Sequence, residues 1–457
     1  MRVSPSALVR RLSPAQLVLL SFAGAVVVAS AVLSLPGMEA PGTPPIGFVD
    51  AFFTAASAVC ITGLTTVDTA SRWSLLGQAT ILVFVQLGGL GIMTCSTLLV
   101  LLVRGRFSVR GRMTLQDTLG SASAADLRRL VATVFVSTLV IEAVGAAALA
   151  ARFALEMPPG RALWFGLFHA VAAFNQAGFA LFPDSLARYV GDPVVNVVVT
   201  ALVVLGGLGF LVIGEFWHRR GAGRGAKGLS LHTKVVLATS GVLLAVGALG
   251  FALLEWRHAL SGLSWPAKVM AAWFQAVAPR SAGLSTLDYT QLSNPTLLFT
   301  IVLMFIGAAP GSTGGGVKVT TAAIVWGLAR SQFAGEERVH LFRRAVPHDA
   351  VARGVTIAAS AVATVVLLTL VLQITEARGP VSDARRSLFL ALLFEAVSAL
   401  GTVGLSLGVT PELSAAGKVL IALAMYVGRV GPLTLTLGLS RPTRGRFEYS
   451  EAPVIVG

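Results

Sequence analysis

The sequence predicts an all-α membrane protein of four repeats. Each repeat is a spanning helix, a short re-entrant helix and a second spanning helix, and the four are arranged with pseudo-fourfold symmetry about one axis. Three observations predict it. Of 457 residues, 55% are hydrophobic and 12% charged, about half the charge of an average soluble domain. With mean hydropathy +0.80, most of the surface must face lipid. Eight apolar runs are long enough to cross a bilayer at about 20 residues per crossing, and four shorter ones are not. Finally, one Phe-to-Gly pattern recurs in each quarter of the chain. This composition excludes a disordered chain. Cys60 and Cys95, both in apolar surroundings, are too few for a disulfide scaffold and have no metal-ligand spacing.

The first spans are residues 15–35, 127–153, 231–256 and 350–374, and the second spans 75–103, 193–217, 295–328 and 415–439. Arg2, Arg10 and Arg11 precede the first run as in a signal peptide, but that run can span and further spans follow, so it reads as a retained helix. The short runs are 46–59, 161–174, 267–278 and 385–400. They suit helices that enter the membrane and stop there. The repeats divide at 1–112, 113–228, 229–346 and 347–457.

The short runs align on Phe53, Phe168, Phe274 and Phe394, with glycine following at Gly63, Gly178, Gly283 and Gly404, offsets of 10, 10, 9 and 10 residues. The third repeat is one residue shorter, with Pro279 and Arg280 in the gap. A helix that stops in mid-membrane is followed by irregular backbone, tolerated only when buried in protein or lining a water-filled path. Four such loops around one axis can turn carbonyl oxygens inward to replace the hydration shell of a cation. The candidate ion-binding residues are therefore Cys60, Ile61, Thr62 and Gly63 (loop 60–65), and Asn175, Gln176, Ala177 and Gly178 (loop 175–179). The other two loops supply Arg280, Ser281, Ala282 and Gly283 (280–284) and Gly401, Thr402, Val403 and Gly404 (401–405). No ring of carboxylates occupies these positions, so selectivity falls to carbonyls. Asp68, Asp184, Asp288 and Glu412 follow the glycines and could concentrate cations at the outer mouth.

The third second span is interrupted by Gly307, Pro310, Gly311, Ser312, Thr313, Gly314, Gly315 and Gly316, with Lys318 just beyond. Proline and five glycines in ten residues do not hold a helix. A break in mid-membrane marks an ion site or a gate, and 307–316 reads as a plug beneath the loops. Arg429 lies about midway along the fourth second span, where a charge is costly and faces the protein interior or a water path. It is a candidate barrier, or a donor to the broken loop's carbonyls.

Basic clusters follow the second spans: Arg104, Arg106, Arg110 and Arg112; Arg219, Arg220, Arg224 and Lys227; Arg330, Arg338, Arg343 and Arg344; and Arg441, Arg444 and Arg446. They place both termini and the inter-repeat links in the cytoplasm, and they account for the net charge of +14 without nucleic acid. His169, Gln275 and Glu395 hold equivalent positions in the short helices, and Glu395 is a candidate partner for Arg280. Glu142 shows no evident partner. Gly88, Gly89, Gly91 and Gly206, Gly207, Gly209 in equivalent second spans read as close helix packing. No HExxH, GxSxG or Walker A pattern is present, so the chain does not read as an enzyme. The competing reading is a proton-coupled transporter of a small solute, with Glu142 its only support.

On these residues the chain resembles the Trk/Ktr/HKT superfamily of potassium transporters, within it the KtrB-type membrane subunit. The marks are Thr62-Gly63-Leu64-Thr65 with Asp68; Phe174 through Phe179; Arg280-Ser281-Ala282-Gly283; Ala399 through Leu405; the loop from Pro310 to Lys318; and Gly428-Arg429-Val430-Gly431-Pro432. The resemblance implies four M1–pore helix–M2 repeats, eight transmembrane and four re-entrant pore helices around one pore. It implies K⁺ as transported ion, Na⁺ as candidate activator, no cofactor, and residence in the cell membrane. It further implies a homodimer working with a cytosolic nucleotide-binding RCK-type subunit, KtrA-like. Leu64, Leu284 and Leu405 stand where relatives often carry Phe.

Overall fold

The computed structural model describes residues 14–104, 124–221, 228–376 and 383–431. Arg2, Arg10 and Arg11 lie outside them, as do Arg106, Arg110, Arg112, Arg224, Lys227, Arg441, Arg444, Arg446, and Pro432 with the expected end of the fourth second span.

The regular structure of the described residues is helical apart from one small hairpin and two isolated bridges. In order, α1 is Pro14–Leu33, α2 Phe48–Val59, α3 Leu75–Arg104, α4 Ala124–Phe153, α5 Pro159–Asn175, α6 Pro193–Leu208 and α7 Phe210–Gly221. There follow α8 Leu231–Glu255, α9 Trp265–Val277, α10 Asn294–Phe305 and α11 Val319–Phe333. The hairpin pairs β1 His340–Leu341 with β2 Arg344–Ala345. Phe342 and Arg343 make its turn, both at positive φ, the twist a two-residue hairpin requires. The last helices are α12 His348–Glu376, α13 Asp383–Leu400 and α14 Ala415–Val430.

Local chemistry sets the helix starts. Asp192 accepts from the Val195 N–H with Pro193 inside the first turn of α6, Ser230 accepts from Thr233 in α8, and Ser414 accepts from Gly417 in α14. These are N-caps that satisfy otherwise orphaned donors. Among the described residues, four helices are long and apolar enough to cross a membrane: Gln16–Leu33, Val134–Phe153, Leu231–Glu255 and His348–Glu376. Large apolar side chains on all four are exposed, among them Val27, Val144, Leu253 and Leu370, as lipid contact requires. The short helices are buried toward their C-terminal ends instead, and Phe53, Phe168, Phe274 and Phe394 are all core residues. At 12 residues, α2 is about 18 Å long, too short to cross.

The second-span helices depart from the expectation of continuous runs. The third breaks where the sequence places the break, between α10 and α11. The second also breaks: α6 and α7 meet at 96°. The hinge is Gly209 at φ +82°, where a methyl group would stand 2.7 Å from the Pro310 carbonyl oxygen. Gly209 therefore bends the chain around the interrupted loop, whereas the sequence suggests straight helix packing.

Side chains join successive quarters of the chain in a closed circuit. Trp164 donates to Gln78 at 2.9 Å, Trp273 to Thr200 at 3.2 Å, and Ser281 to the Thr402 carbonyl at 2.9 Å. The circuit closes from last to first through Lys418 and Asp50 at 2.8 Å and Tyr426 to the Leu19 carbonyl at 2.6 Å.

Candidate functional site

The four loops after the short helices meet at one place. A methyl placed on Gly63 would stand 2.5 Å from Gly178 Cα, one on Gly178 3.2 Å from Gly283 Cα, and one on Gly283 3.1 Å from Gly404 Cα. One on Gly404 would collide with the Thr62 carbonyl, returning to the first loop. All four glycines have positive φ, from 66° to 94°, so the position excludes a side chain on both conformation and space.

Two residues before each glycine, Ile61, Gln176, Ser281 and Thr402 also have positive φ, between 47° and 70°. For β-branched Ile61 and Thr402 that conformation is strained and persists only where the surroundings impose it. The residue between is not in that region. Thr62, Ala177 and Val403 each donate a backbone N–H, at 2.8 Å, to the carbonyl five residues back. In the shorter third loop, Ala282 donates to the carbonyl four back instead, at 3.1 Å. Ser57 and Ser398 accept the N–H of Gly63 and Gly404 at 2.9 and 3.1 Å. Both serines stand six residues before their glycine, a signal present in the sequence itself.

The interrupted segment lies against these loops. Gly307 donates to the Val317 carbonyl at 2.9 Å, and Ile306 and Val317 form a parallel bridge, so the loop leaves and returns at one point. Within it, Ala309 and Thr313 donate backbone N–H groups to the Gly207 and Gly206 carbonyls at 3.0 and 3.2 Å, and Phe210 donates to Gly311 at 3.1 Å. The Thr313 hydroxyl donates to the Phe174 carbonyl at 3.1 Å. Ser312, Thr313, Gly314 and Gly315 are buried, and Pro310, Gly311 and Gly316 half-buried. This is a loop seated within protein. The Lys318 ammonium donates to the Gly314 carbonyl at 2.6 Å. Arg429 is buried and donates to the Thr313 carbonyl and, at 2.7 Å, to the Gly88 carbonyl. Of the two roles considered for Arg429, the donor role matches its contacts.

Other candidates take different partners from those the sequence suggests. Arg280 does not pair with Glu395: it donates to the Ser240 carbonyl and hydroxyl, each at 3.2 Å. Glu395 accepts from Ser406, Thr410 and the Leu407 N–H at 2.5, 2.8 and 3.3 Å. The two groups face different elements, a separation that repeat position does not encode. His169 likewise accepts the Leu181 N–H at 3.2 Å, and Gln275 donates to Ser285 at 3.0 Å. These three equivalent polar residues thus pin α5, α9 and α13 to the chain leaving their loops, whereas Thr54 of α2 donates to the Asp50 carbonyl of its own helix at 2.8 Å. Glu142 does have partners: Gln86 at 3.1 Å and Asn175 at 2.9 Å. Gly88, Gly206 and Gly428 back the carbonyls of Val59, Phe174 and Leu400, where any Cβ would clash, so close packing explains these three. Asp68 and Asp288 cap short turns, and Asp184 pairs with Arg188 at 3.0 Å.

Apolar helices surrounding four converging loops define an integral membrane transport protein. The cation transport protein family TrkH matches residues 23–444. The chain belongs to that family. It is 35% identical over 449 residues to the Ktr system potassium uptake protein B of Bacillus subtilis, covering 98% of this chain and 97% of that one. It is 38% identical over 446 residues to the protein of the same name from Vibrio alginolyticus, covering 97% and 94%. It is 34% identical over 455 residues to the potassium/sodium uptake protein NtpJ of Enterococcus hirae, covering 98% of each. Among solved structures, the potassium transporter TrkH from Vibrio parahaemolyticus matches with TM-score 0.70 at 19% identity, covering 94% of this chain and 86% of that one.

Proposed function

We propose that the chain is the potassium-conducting membrane subunit of a KtrAB-like uptake system. The observation that carries this is the single ring formed by Gly63, Gly178, Gly283 and Gly404. Positive φ at alternate positions turns successive carbonyls to one side, where a strand would send them to opposite sides. Carbonyls facing one axis replace the water around a dehydrated cation. Residues 60–63, 175–178, 280–283 and 401–404 then form the selectivity filter, and 307–316 with Lys318 and Arg429 the gate beneath it. The four-repeat, eight-span arrangement belongs to this proposal, supported by the recurring order of long, short and long helices and by the closed circuit of contacts. Uptake is driven by the membrane potential, about 2.3 kcal/mol per charge for every 100 mV.

The relatives' names support K⁺ as cargo, and the name of the potassium/sodium uptake relative supports a part for Na⁺, which this proposal assigns as activator. Assembly as a homodimer with a cytosolic RCK-type nucleotide-binding subunit, cytoplasmic termini and residence in the cell membrane complete the proposal. A proton-coupled solute transporter would need an acid pair and room for an organic ligand. Glu142 is instead bonded to two amides and not to a second acid.

The test is radiolabelled rubidium uptake into proteoliposomes under an imposed potential, with K⁺, Na⁺ or organic solutes as competitors. Uptake blocked by K⁺ and much less by Na⁺ is expected. No uptake by either the intact chain or a variant lacking residues 310–316 would sink the proposal.

A further inference from the structure

Three of the four residues that stand two before a loop glycine lie against one dipeptide, Gly314–Gly315. A methyl on Gly314 would overlap the Gln176 side-chain oxygen, and one on Gly315 would overlap the Thr402 hydroxyl. The third, Ser281, makes directed bonds. Its hydroxyl oxygen accepts the Gly315 N–H at 3.1 Å and donates to the Thr402 carbonyl at 2.9 Å, with the Gly401 carbonyl 3.1 Å away. Ser281 and Thr402 are fully buried. At the equivalent positions Ile61 has no polar side-chain atom, and Gln176 commits its amide nitrogen to the Val203 carbonyl at 2.9 Å.

A serine hydroxyl has one proton to give and two lone pairs. Here the proton goes to a carbonyl of the fourth loop, while a lone pair holds the interrupted loop. We propose that Ser281 is a positioning residue that couples the seat of the 307–316 loop to the carbonyls of the fourth loop, so that gating and K⁺/Na⁺ preference move together. The inference rests on the filter and gate reading above. With Gly315 seated, Ser281 is held toward Thr402 and its proton occupies an oxygen assigned to the ion. With Gly315 withdrawn, the hydroxyl is free to turn and that oxygen is returned to the ion. Seating the gate thus alters the ligand field above it.

The experiment uses the full chain in proteoliposomes with rubidium as tracer and K⁺ or Na⁺ as competitor. It compares the native protein, Ser281→Gly, the 310–316 deletion, and the two changes combined. Glycine suits φ +70°, so this change removes the hydroxyl without backbone strain. Ser281→Gly is expected to raise basal uptake and to shift the ratio of K⁺ to Na⁺ competition by about threefold to tenfold, the scale of one hydrogen bond. The deletion alone should shift that ratio in the same direction, and adding Ser281→Gly to it should shift it no further. A deletion that opens flux with unchanged preference overturns the coupling while leaving the gate intact. So does a combined shift equal to the sum of the separate ones. If Ser281→Gly does not fold, the preference of the deletion protein decides the matter. No rubidium uptake in any variant removes the potassium reading, and this proposal with it.

Discussion

The Arg429 guanidinium donates to the Gly88 carbonyl at 2.7 Å, tying α14 at the end of the described chain to α3 near its start. The same side chain donates to Thr313 in the interrupted loop, so one buried cation anchors that loop to the wall.

Arg429→Ala leaves two buried carbonyls without a charged donor. Bonds to charged groups contribute about 1.5–3 kcal/mol each. On the gate proposal, basal rubidium uptake should therefore rise about tenfold or more, with Arg429→Lys intermediate. Uptake no higher than in the native protein would remove Arg429 from the gate.

Gly404→Ser places a side chain against the Thr62 carbonyl at φ +94°, so both space and backbone oppose it. The filter assignment predicts a changed K⁺/Na⁺ preference in uptake competition. An unchanged preference in a folded variant would count against that assignment.

Glu395→Ala removes the acceptor for Ser406, Thr410 and the Leu407 N–H, and so frees the chain leaving the fourth loop from its short helix. Uptake should fall several-fold, while Glu395→Gln keeps one carbonyl acceptor and more activity. Equal activity in both variants would assign the residue to bulk packing.

Glu255→Ala acts on stability. Glu255 is fully buried and accepts from the Ser293 N–H, its hydroxyl and Thr296 at 3.0, 2.7 and 2.5 Å, joining the end of α8 to the start of α10. Loss of these bonds should cost about 3 kcal/mol, read as a lower unfolding temperature in detergent with ion preference kept. A thermal midpoint equal to the native one would refute the clamp.

Much of this was legible in residues. The Phe and Gly of each short run keep their spacing to within one residue because a buried aromatic anchors the helix and a glycine at positive φ turns the chain, and both constraints are local. The interruption at 307–316 was legible because proline and glycine exclude a helix wherever they fall. The bend at Gly209 was not, since the same glycines would serve straight packing equally well. Only the nearness of Pro310 makes them a hinge.

The sequence by itself determined that the chain lives in lipid, which segments are long or short, where the loops turn and which family it belongs to. The first three follow from hydropathy, length and backbone freedom, which each stretch carries alone, and the family follows from the resemblance of the loop motifs. The tertiary structure decided the pairings: Glu142, which shows no partner in sequence, with Gln86 and Asn175, Glu395 with Ser406 and not with Arg280, Ser281 with both Gly315 and Thr402. A buried polar group must find a partner, but which one depends on what lies across the interface. That is fixed by how the helices pack, and sequence spacing does not record it.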